Sequence, residues 1–251
     1  MSSQHGTRAP NQQFTSNVDL YNGWSATYDI DGNVMPAVDD VVFNDRVVPL
    51  LKSTEGDVRI LEIGCGTGRN TVKLRQDLSP GSTIYAVDVS DGMMQQAKKK
   101  LEGNSENVNW AILDLQTQGE ELATFVGQPV DIFISTLVLE HVELDAFFAT
   151  LGAHLKSGGW AWVSNMHPFI GMHTGAGYKT GKDGVRVRGV SANYEMQEVV
   201  DAARKYGLEV EGDIVEAGVG DDEVEAVRQF GPRAKKCVGW KIFAGFLFKK
   251  V

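Results

Sequence analysis

The chain reads as a doubly wound α/β domain, a mostly parallel sheet with helices on both faces, and three observations predict it. Short apolar runs at 58–63, 83–87, 108–113, 130–135 and 160–164 alternate with stretches of helical period. A glycine-rich turn, Gly64-Cys65-Gly66-Thr67-Gly68, joins the first run to a helix. Glu62, Asp88 and Asp114 each stand near the C-terminal end of a predicted strand, the edge where open α/β sheets bind ligands.

The elements follow in order. Residues 1–17 are polar, without a signal-peptide apolar core, and are expected to form a mobile tail. Tyr21, Trp24 and Tyr28 share one side of a short helix, which either packs on the core or caps a ligand. Pro36 is expected to open the next helix, with Val38, Val41 and Val42 inward and its far end left open by Pro49. The buried strand Val58–Ile63 leads through the glycines into a helix whose free N–H groups face a ligand. Leu74 and Leu78 carry that helix to the break at Ser79-Pro80-Gly81. A second strand ends at Asp88, and Asp91 is expected to cap the helix carrying Met94, Ala97 and Leu101. Third and fourth strands follow. Leu144, Phe147, Phe148, Leu151 and Leu155 then mark a helix expected to end at Gly158-Gly159, before a fifth strand at 160–164. Asp183-Gly184 and the alternating Val185–Arg188 predict a hairpin arm within 165–189. A helix on Met196, Val199, Val200 and Ala203, a strand over 208–215, a helix over 221–230 and a last strand over 240–248 complete the chain.

Composition narrows the function. With 251 residues, 42% apolar and 23% charged, one sizeable domain (18–251) is expected. A net charge of −9 argues against a nucleic-acid binder, which needs a basic footprint. Lys98-Lys99-Lys100 complement a helix C-terminus instead. Two cysteines, Cys65 and Cys237, form no disulfide framework or metal pattern, so a reducing, cytoplasmic setting is the simple expectation, and with no apolar run long enough to span a membrane, no membrane contact is expected. Oligomeric state is not legible.

The spacing of the glycine turn selects a cofactor class. A dinucleotide loop wants G-x-G-x-x-G, and Arg69 stands where its third glycine belongs. The pattern Glu62-x-Gly64-x-Gly66-x-Gly68 instead resembles the first motif of the class I S-adenosylmethionine (SAM)-dependent methyltransferases of the small-molecule type. Trp24–Asp29 is similar to their N-terminal closing segment, and Leu155-Lys156-Ser157-Gly158-Gly159 to their L-K-P-G-G. The resemblance implies a Rossmann-like seven-stranded sheet with an antiparallel last strand. It also implies SAM as cofactor and S-adenosylhomocysteine as product. It places the cofactor against Tyr28, Glu62, Gly64, Cys65, Gly66, Gly68, Asn70, Asp88, Val89, Met93, Asp114, Leu115, Ser135 and Thr136. Asp88 would accept from the ribose hydroxyls, and Asp114 from the adenine amino group.

The acceptor side is read by position and exclusion. His141 and His167 follow the fourth and fifth strands and are the candidates for a general base, although His141 could equally cap or pack the next helix. A metal set of Glu140, His141 and His167 or His173 is the third reading. Some similar methyltransferases carry E-x-x-E-H here, but Leu137 replaces the first glutamate, so no metal is expected. Tyr178-x-x-x-Lys182 imitates a short-chain dehydrogenase pair, yet Gly181 and Gly184 make the required helix improbable. The chain lacks the N/D-P-P-Y and Pro-Cys motifs of enzymes that methylate nucleic-acid bases. The expected reaction is therefore methyl transfer to O or N of a small molecule, mainly by proximity. The alternative is a SAM-binding fold that acts as a regulatory partner or non-methylating catalyst. The 165–189 arm is the expected lid, with Tyr178, Arg186 and Arg188 as contacts, though an exposed strand face is the simpler reading of the arginines.

Overall fold

The structure is a computed structural model that describes residues 12–180 and 184–251. The first eleven residues of the expected tail, and the tip of the expected hairpin at 181–183, lie outside the described residues. An N-terminal segment contains β1 (Gln12–Phe14), α1 (Asn17–Trp24), α2 (Val34–Arg46) and α3 (Val48–Ser53). The alternating part follows as β2 (Arg59–Ile63), α4 (Arg69–Asp77), β3 (Thr83–Asp88), α5 (Asp91–Lys100), β4 (Val108–Ile112), α6 (Gly119–Val126), β5 (Val130–Thr136), α7 (Leu144–His154) and β6 (Leu155–Met166). The chain ends with α8 (Pro168–Gly171), β7 (Gly177–Lys179), β8 (Arg186–Arg188), α9 (Met196–Arg204), β9 (Leu208–Val210), β10 (Val215–Ala217), α10 (Glu223–Phe230) and β11 (Phe243–Lys250).

The main sheet runs β4-β3-β2-β5-β6-β11-β10, with β9 also paired to β11. Strands β2 to β6 are mutually parallel, and β11 is antiparallel to β6. Strand alternation explains why the apolar runs are continuous. Ile60, Ile132, Ile134 and Trp162 pack on one face with Val38, Phe43 and Leu51 of α2 and α3 and Leu74 of α4. Leu61, Phe133 and Val163 pack on the other with Leu122, Phe147, Leu151 and Val200. Both faces are covered, so neither face of these strands tolerates a polar stripe.

Several boundaries differ from expectation for local reasons. Residues 12–17 are not a tail: β1 pairs in parallel with β8, and Ser16 caps α1 by accepting from the Asp19 N–H. Asn33 caps α2, so Pro36 sits inside the first turn, where no intrahelical partner awaits its missing N–H. Val41 is exposed because the inner stripe of α2 runs through Val34, Val38 and Val42. Val47 separates α2 from α3, and Pro49 sits in the first turn of α3. Ser90 rather than Asp91 caps α5, its hydroxyl accepting from Met93 N at 3.1 Å. Helix α7 ends at His154, and the Gly158-Gly159 pair falls inside an irregular start of β6. Gly212, at φ +77°, breaks the expected 208–215 strand into β9 and β10, so the seventh sheet position is shared and the sheet has eight strands. The expected hairpin is present as antiparallel β7–β8, extended by β1 into a small second sheet.

One buried contact fastens the N-terminal segment to the sheet. Asp39 of α2 is fully buried and receives both the Arg69 guanidinium of α4 and the Ser164 hydroxyl of β6, the latter at 2.7 Å. Arg69 also reaches Asp40 at 3.2 Å, and Lys73 pairs with the same carboxylate. Burial alone would lower the Arg69 pKa, but the charge and hydrogen bond of Asp39 reverse it and the net shift is upward. Removing one partner strands the other charge in the core. Asp39→Ala is expected to cost about 3–5 kcal/mol in urea unfolding, and a loss below about 1 kcal/mol would show the pair to be incidental.

Candidate active site

The tips of β2, β3, β4 and β5 enclose a cavity of about 300 Å³. Its floor is the glycine turn. Gly64 has φ +73°, and a Cβ there would lie 2.2 Å from Val138 Cγ2, so only glycine lets the segment after β5 cross so closely. Gly66 faces open space, and its N–H donates to Asp88 Oδ2 at 2.8 Å. The Ser90 N–H donates to Asp88 Oδ1, also at 2.8 Å. Each Asp88 oxygen thus has one backbone partner and lone pairs left over. Burial raises the Asp88 pKa, and the Ser90 and Gly66 N–H groups only partly oppose it. Asp114 lines the far end, its Oδ1 accepting from Gln116 N at 2.9 Å.

The N-terminal segment roofs this cavity with Asn17, Val18, Tyr21 and Tyr28. It is pinned at both ends. Asn22 Oδ1 accepts from the Ser90 hydroxyl at 2.8 Å and the Gly92 N–H at 2.9 Å. Asp29 accepts from the Thr67 hydroxyl at 2.8 Å and pairs with Lys100. Trp24, buried beneath Tyr28 at 4.9 Å, donates its indole N–H to Asp31. The aromatic residues therefore act both as core and as cap.

A second, larger chamber of about 760 Å³ shares Tyr21, Tyr28 and Leu137 with the first. Leu137, at φ +59°, is a non-glycine residue in left-handed backbone, and it stands at the junction of the two spaces. Trp24, Tyr178, Trp240, Met166 and Ile170 supply apolar wall, and Arg186 and Arg188 also face this chamber. Arg186 is exposed, as the simpler expectation has it, while Arg188 is half-buried.

The two candidate histidines part company. His141 lines the smaller cavity. Its Nδ1 lies 3.1 Å from the Val190 carbonyl, which can only accept, so Nδ1 carries the proton. Nε2 is then an acceptor, and the Tyr21 hydroxyl donates to it at 2.7 Å. Burial pushes the Tyr21 phenol well above its ordinary value. Glu140, itself buried, lies 3.7 Å from His141 Nε2. His167 lines neither space. Its Nδ1 accepts from Phe169 N at 3.0 Å, capping α8, and its Nε2–H donates to Glu216 at 2.8 Å. With both nitrogens engaged, His167 has no lone pair for the chemistry, and its candidacy as a base is corrected. His173 packs at a tilt against Phe169 and Trp240, with ring centroids 5.1 and 5.6 Å away. The Glu140–His141–His167/His173 set is not gathered at one point. Among the described residues, no group of three or more His, Cys, Asp or Glu side chains is placed to hold a metal.

Comparison with known proteins fits this geometry. Residues 61–161, from β2 into β6, match the family model of a methyltransferase domain. An uncharacterized methyltransferase of Emericella nidulans is 29% identical over 93% of this chain and 90% of its own length. The chain is thus similar to methyltransferases, through this domain and through a relative that spans most of its length. In fold, it is similar to magnesium protoporphyrin IX methyltransferase from Synechocystis PCC 6803 (TM-score 0.62, 14% identity, 93% of this chain and 98% of that one). It is equally similar to the N-methyltransferase NodS of Bradyrhizobium japonicum WM9 (TM-score 0.61, 15% identity, 94% and 99%).

Of the residues expected at the methyltransferase cofactor, Tyr28, Gly64, Gly66, Asp88, Val89, Met93, Asp114, Leu115 and Thr136 line the smaller cavity. Glu62, Cys65, Gly68, Asn70 and Ser135 do not, and each has a supporting place instead. The Cys65 side chain joins the core, while its N–H donates to Val87 O at 3.0 Å. Gly68, at φ +79°, precedes α4 and would bring a Cβ to 3.0 Å from Ala97, so it allows α4 and α5 to touch. Asn70 donates to Thr136 Oγ1 at 3.0 Å, and the Ser135 side chain is buried inside the sheet. Glu62 lies beneath the turn and accepts from the Thr71 hydroxyl at 2.7 Å. Asn17, Val18, Tyr21, Gln116, Leu137, Val138 and Val142 line the cavity without having been foreseen there. Tyr21 alone carried a signal, its place in the aromatic stripe.

Burial pushes Glu62 up to about 7 from 4.5, against the opposing Thr71 hydrogen bond and Arg69 charge. The folded protein therefore binds this proton more tightly than the unfolded chain. Between those two values the native state holds more protons, so the Glu62 contribution to stability falls as pH rises through the window and is level above it. Relative to Glu62→Gln, the parent protein should lose stability between about pH 4.5 and 7 in urea midpoints taken at both ends. Parallel midpoints for the two proteins would show that Glu62 is ionised in the fold throughout.

Proposed function

We propose that the chain transfers the methyl group of SAM to an oxygen or nitrogen of a small molecule held in the larger chamber. The observation that carries this is the meeting of two cavities at Tyr21, Tyr28 and Leu137, one of them built on the glycine turn, Asp88 and Asp114. The residues present suit SAM. The spare lone pairs of Asp88 match two ribose hydroxyls, Asp114 matches an amino group, and Gly66 leaves open the space a side chain would fill. When bound, SAM supplies a methyl group on a sulfonium, an already activated leaving group.

What the chain adds is position and a path for a proton. The Tyr28 and Tyr21 rings and Leu137 define the boundary at which an acceptor atom would be aligned and water excluded. The Tyr21 oxygen can take the proton of an incoming O–H or N–H while its own proton passes to His141 Nε2. The imidazolium so formed lies beside the buried Glu140 carboxylate, 3.7 Å away, which favours it. Tyr21 is a relay here, since its raised pKa makes it a poor base alone.

Calorimetry with SAM tests the cofactor site. Asp88→Ala should weaken binding about a hundredfold through the loss of two charge-assisted hydrogen bonds, and undiminished affinity would sink the assignment. Once a labelled-methyl screen supplies an acceptor, Tyr21→Phe should lower kcat about a hundredfold at neutral pH. An unchanged kcat would remove Tyr21 and His141 from the chemistry.

A further inference from the structure

The larger chamber carries a charge opposite to that of the protein. The chain has a net charge of −9, yet Lys179, Arg186, Arg188, Arg233 and Lys236 all line this space, against the carboxylates of Asp31 and Glu140. These cations are not equivalent. Arg233 is engaged, donating to the Asp31 carbonyl at 3.0 Å and lying 3.6 Å from its carboxylate. Arg186 and Arg188 have no such partner among the described residues: neither guanidinium meets a carboxylate or a hydrogen-bond acceptor, and the Arg188 Nε is buried with none. Burial and the neighbouring Arg186 charge both lower the Arg188 pKa, the mark of a cation held beside its like.

The pair is held in place by backbone. Arg186 and Arg188 flank the buried Val187 on β8, so both side chains leave the same face of the strand. Strand β8 is laddered on both sides, to β1 and to β7. It is also tied to α1 through Asn17, which donates to the Val190 carbonyl at 3.0 Å and accepts from its N–H at 2.9 Å. Two neighbouring guanidiniums fixed this way repel each other unless an anion sits between them, and their planar forks match the oxygens of carboxylate or phosphate. The same chamber offers aromatic wall: Tyr178 stacks on Trp24 at 5.8 Å, and Trp240 lines the space as well.

We infer that the methyl acceptor is an organic oxyanion, a carboxylate or phosphate monoester on an aromatic or aliphatic body, and that Arg186 and Arg188 bind its charged end. This rests on the reading that the larger chamber receives the acceptor. Arg186 and Arg188 then set specificity and take no part in the transfer itself.

Binding titrations on the full chain saturated with S-adenosylhomocysteine test it. The probes are phenylalkyl and straight-chain carboxylates, the matching phosphate monoesters, and the corresponding neutral amides. At least one oxyanion should bind about tenfold more tightly than its amide, and the preference should shrink when salt is raised from about 50 to 500 mM. The double variant R186Q/R188Q should abolish the preference, leaving S-adenosylhomocysteine affinity unchanged. The exposed single variant R186Q reports in the same direction if the double variant folds poorly. Whether carboxylate or phosphate leads distinguishes the two sources of the anion. If no oxyanion outbinds its amide, or if the preference survives in the variants, the inference is overturned. Failure of S-adenosylhomocysteine to bind would instead count against the methyltransferase reading of the smaller cavity.

Discussion

The buried contact between Arg69 and Asp39 is the constraint on which the site depends. The other polar ties of the N-terminal segment, such as Asn22 to Ser90 and Asp29 to Thr67, hold its aromatic helix, whereas this one holds α2 through a fully buried charge. With it, α2 is locked to the first helix after the glycine turn and, through Ser164, to the tip of β6. Such a pair adds little net stability, because desolvating two charges offsets most of their attraction. Its value is in register. The aromatic cap carried by the same segment comes to rest over the glycine turn, where Tyr21 and Tyr28 border both cavities.

Around that lock the polar groups divide by depth. Glu62 lies below the turn and holds α4 through Thr71, whereas Asp88 lies at the rim and keeps part of its hydrogen-bonding capacity open. Two carboxylates of the same motif series thus part company, one tied into the fold and one facing the smaller cavity. The histidines divide in the same way. His141 is fixed by the Val190 carbonyl so that its lone pair meets Tyr21, while His167 is consumed by capping α8 and by Glu216.

The hairpin β7–β8 borders the larger chamber. Its pairing with β1 places residues from the start of the chain beside residues from its last third, and it brings two arginines into a chamber of an otherwise acidic protein. The basic lining of this chamber comes from long-range pairing, not from composition.

Much of this was legible in the sequence, for physical reasons. The five parallel strands announced themselves as continuous apolar runs, since both faces of the sheet are covered. The spacing of Gly64, Gly66 and Gly68 around Arg69 identified the turn, because backbone that must bend so sharply and pass Val138 so closely admits no other residue at Gly64. Asp88 and Asp114 followed from lying at strand tips. The sequence could not say which way a side chain in such a tip points, so Glu62, Asn70 and Ser135 were expected at the cofactor, whereas none of them lines the smaller cavity. Nor could it assign His141 and His167 to different tasks, since the partners that decide them, Tyr21, Val190 and Glu216, are distant in the chain and meet them only in the fold. Local spacing and apolar pattern determined the elements and the cofactor turn. Tertiary structure alone decided which polar atoms are left unpaired, and it is those atoms that are available for binding and chemistry.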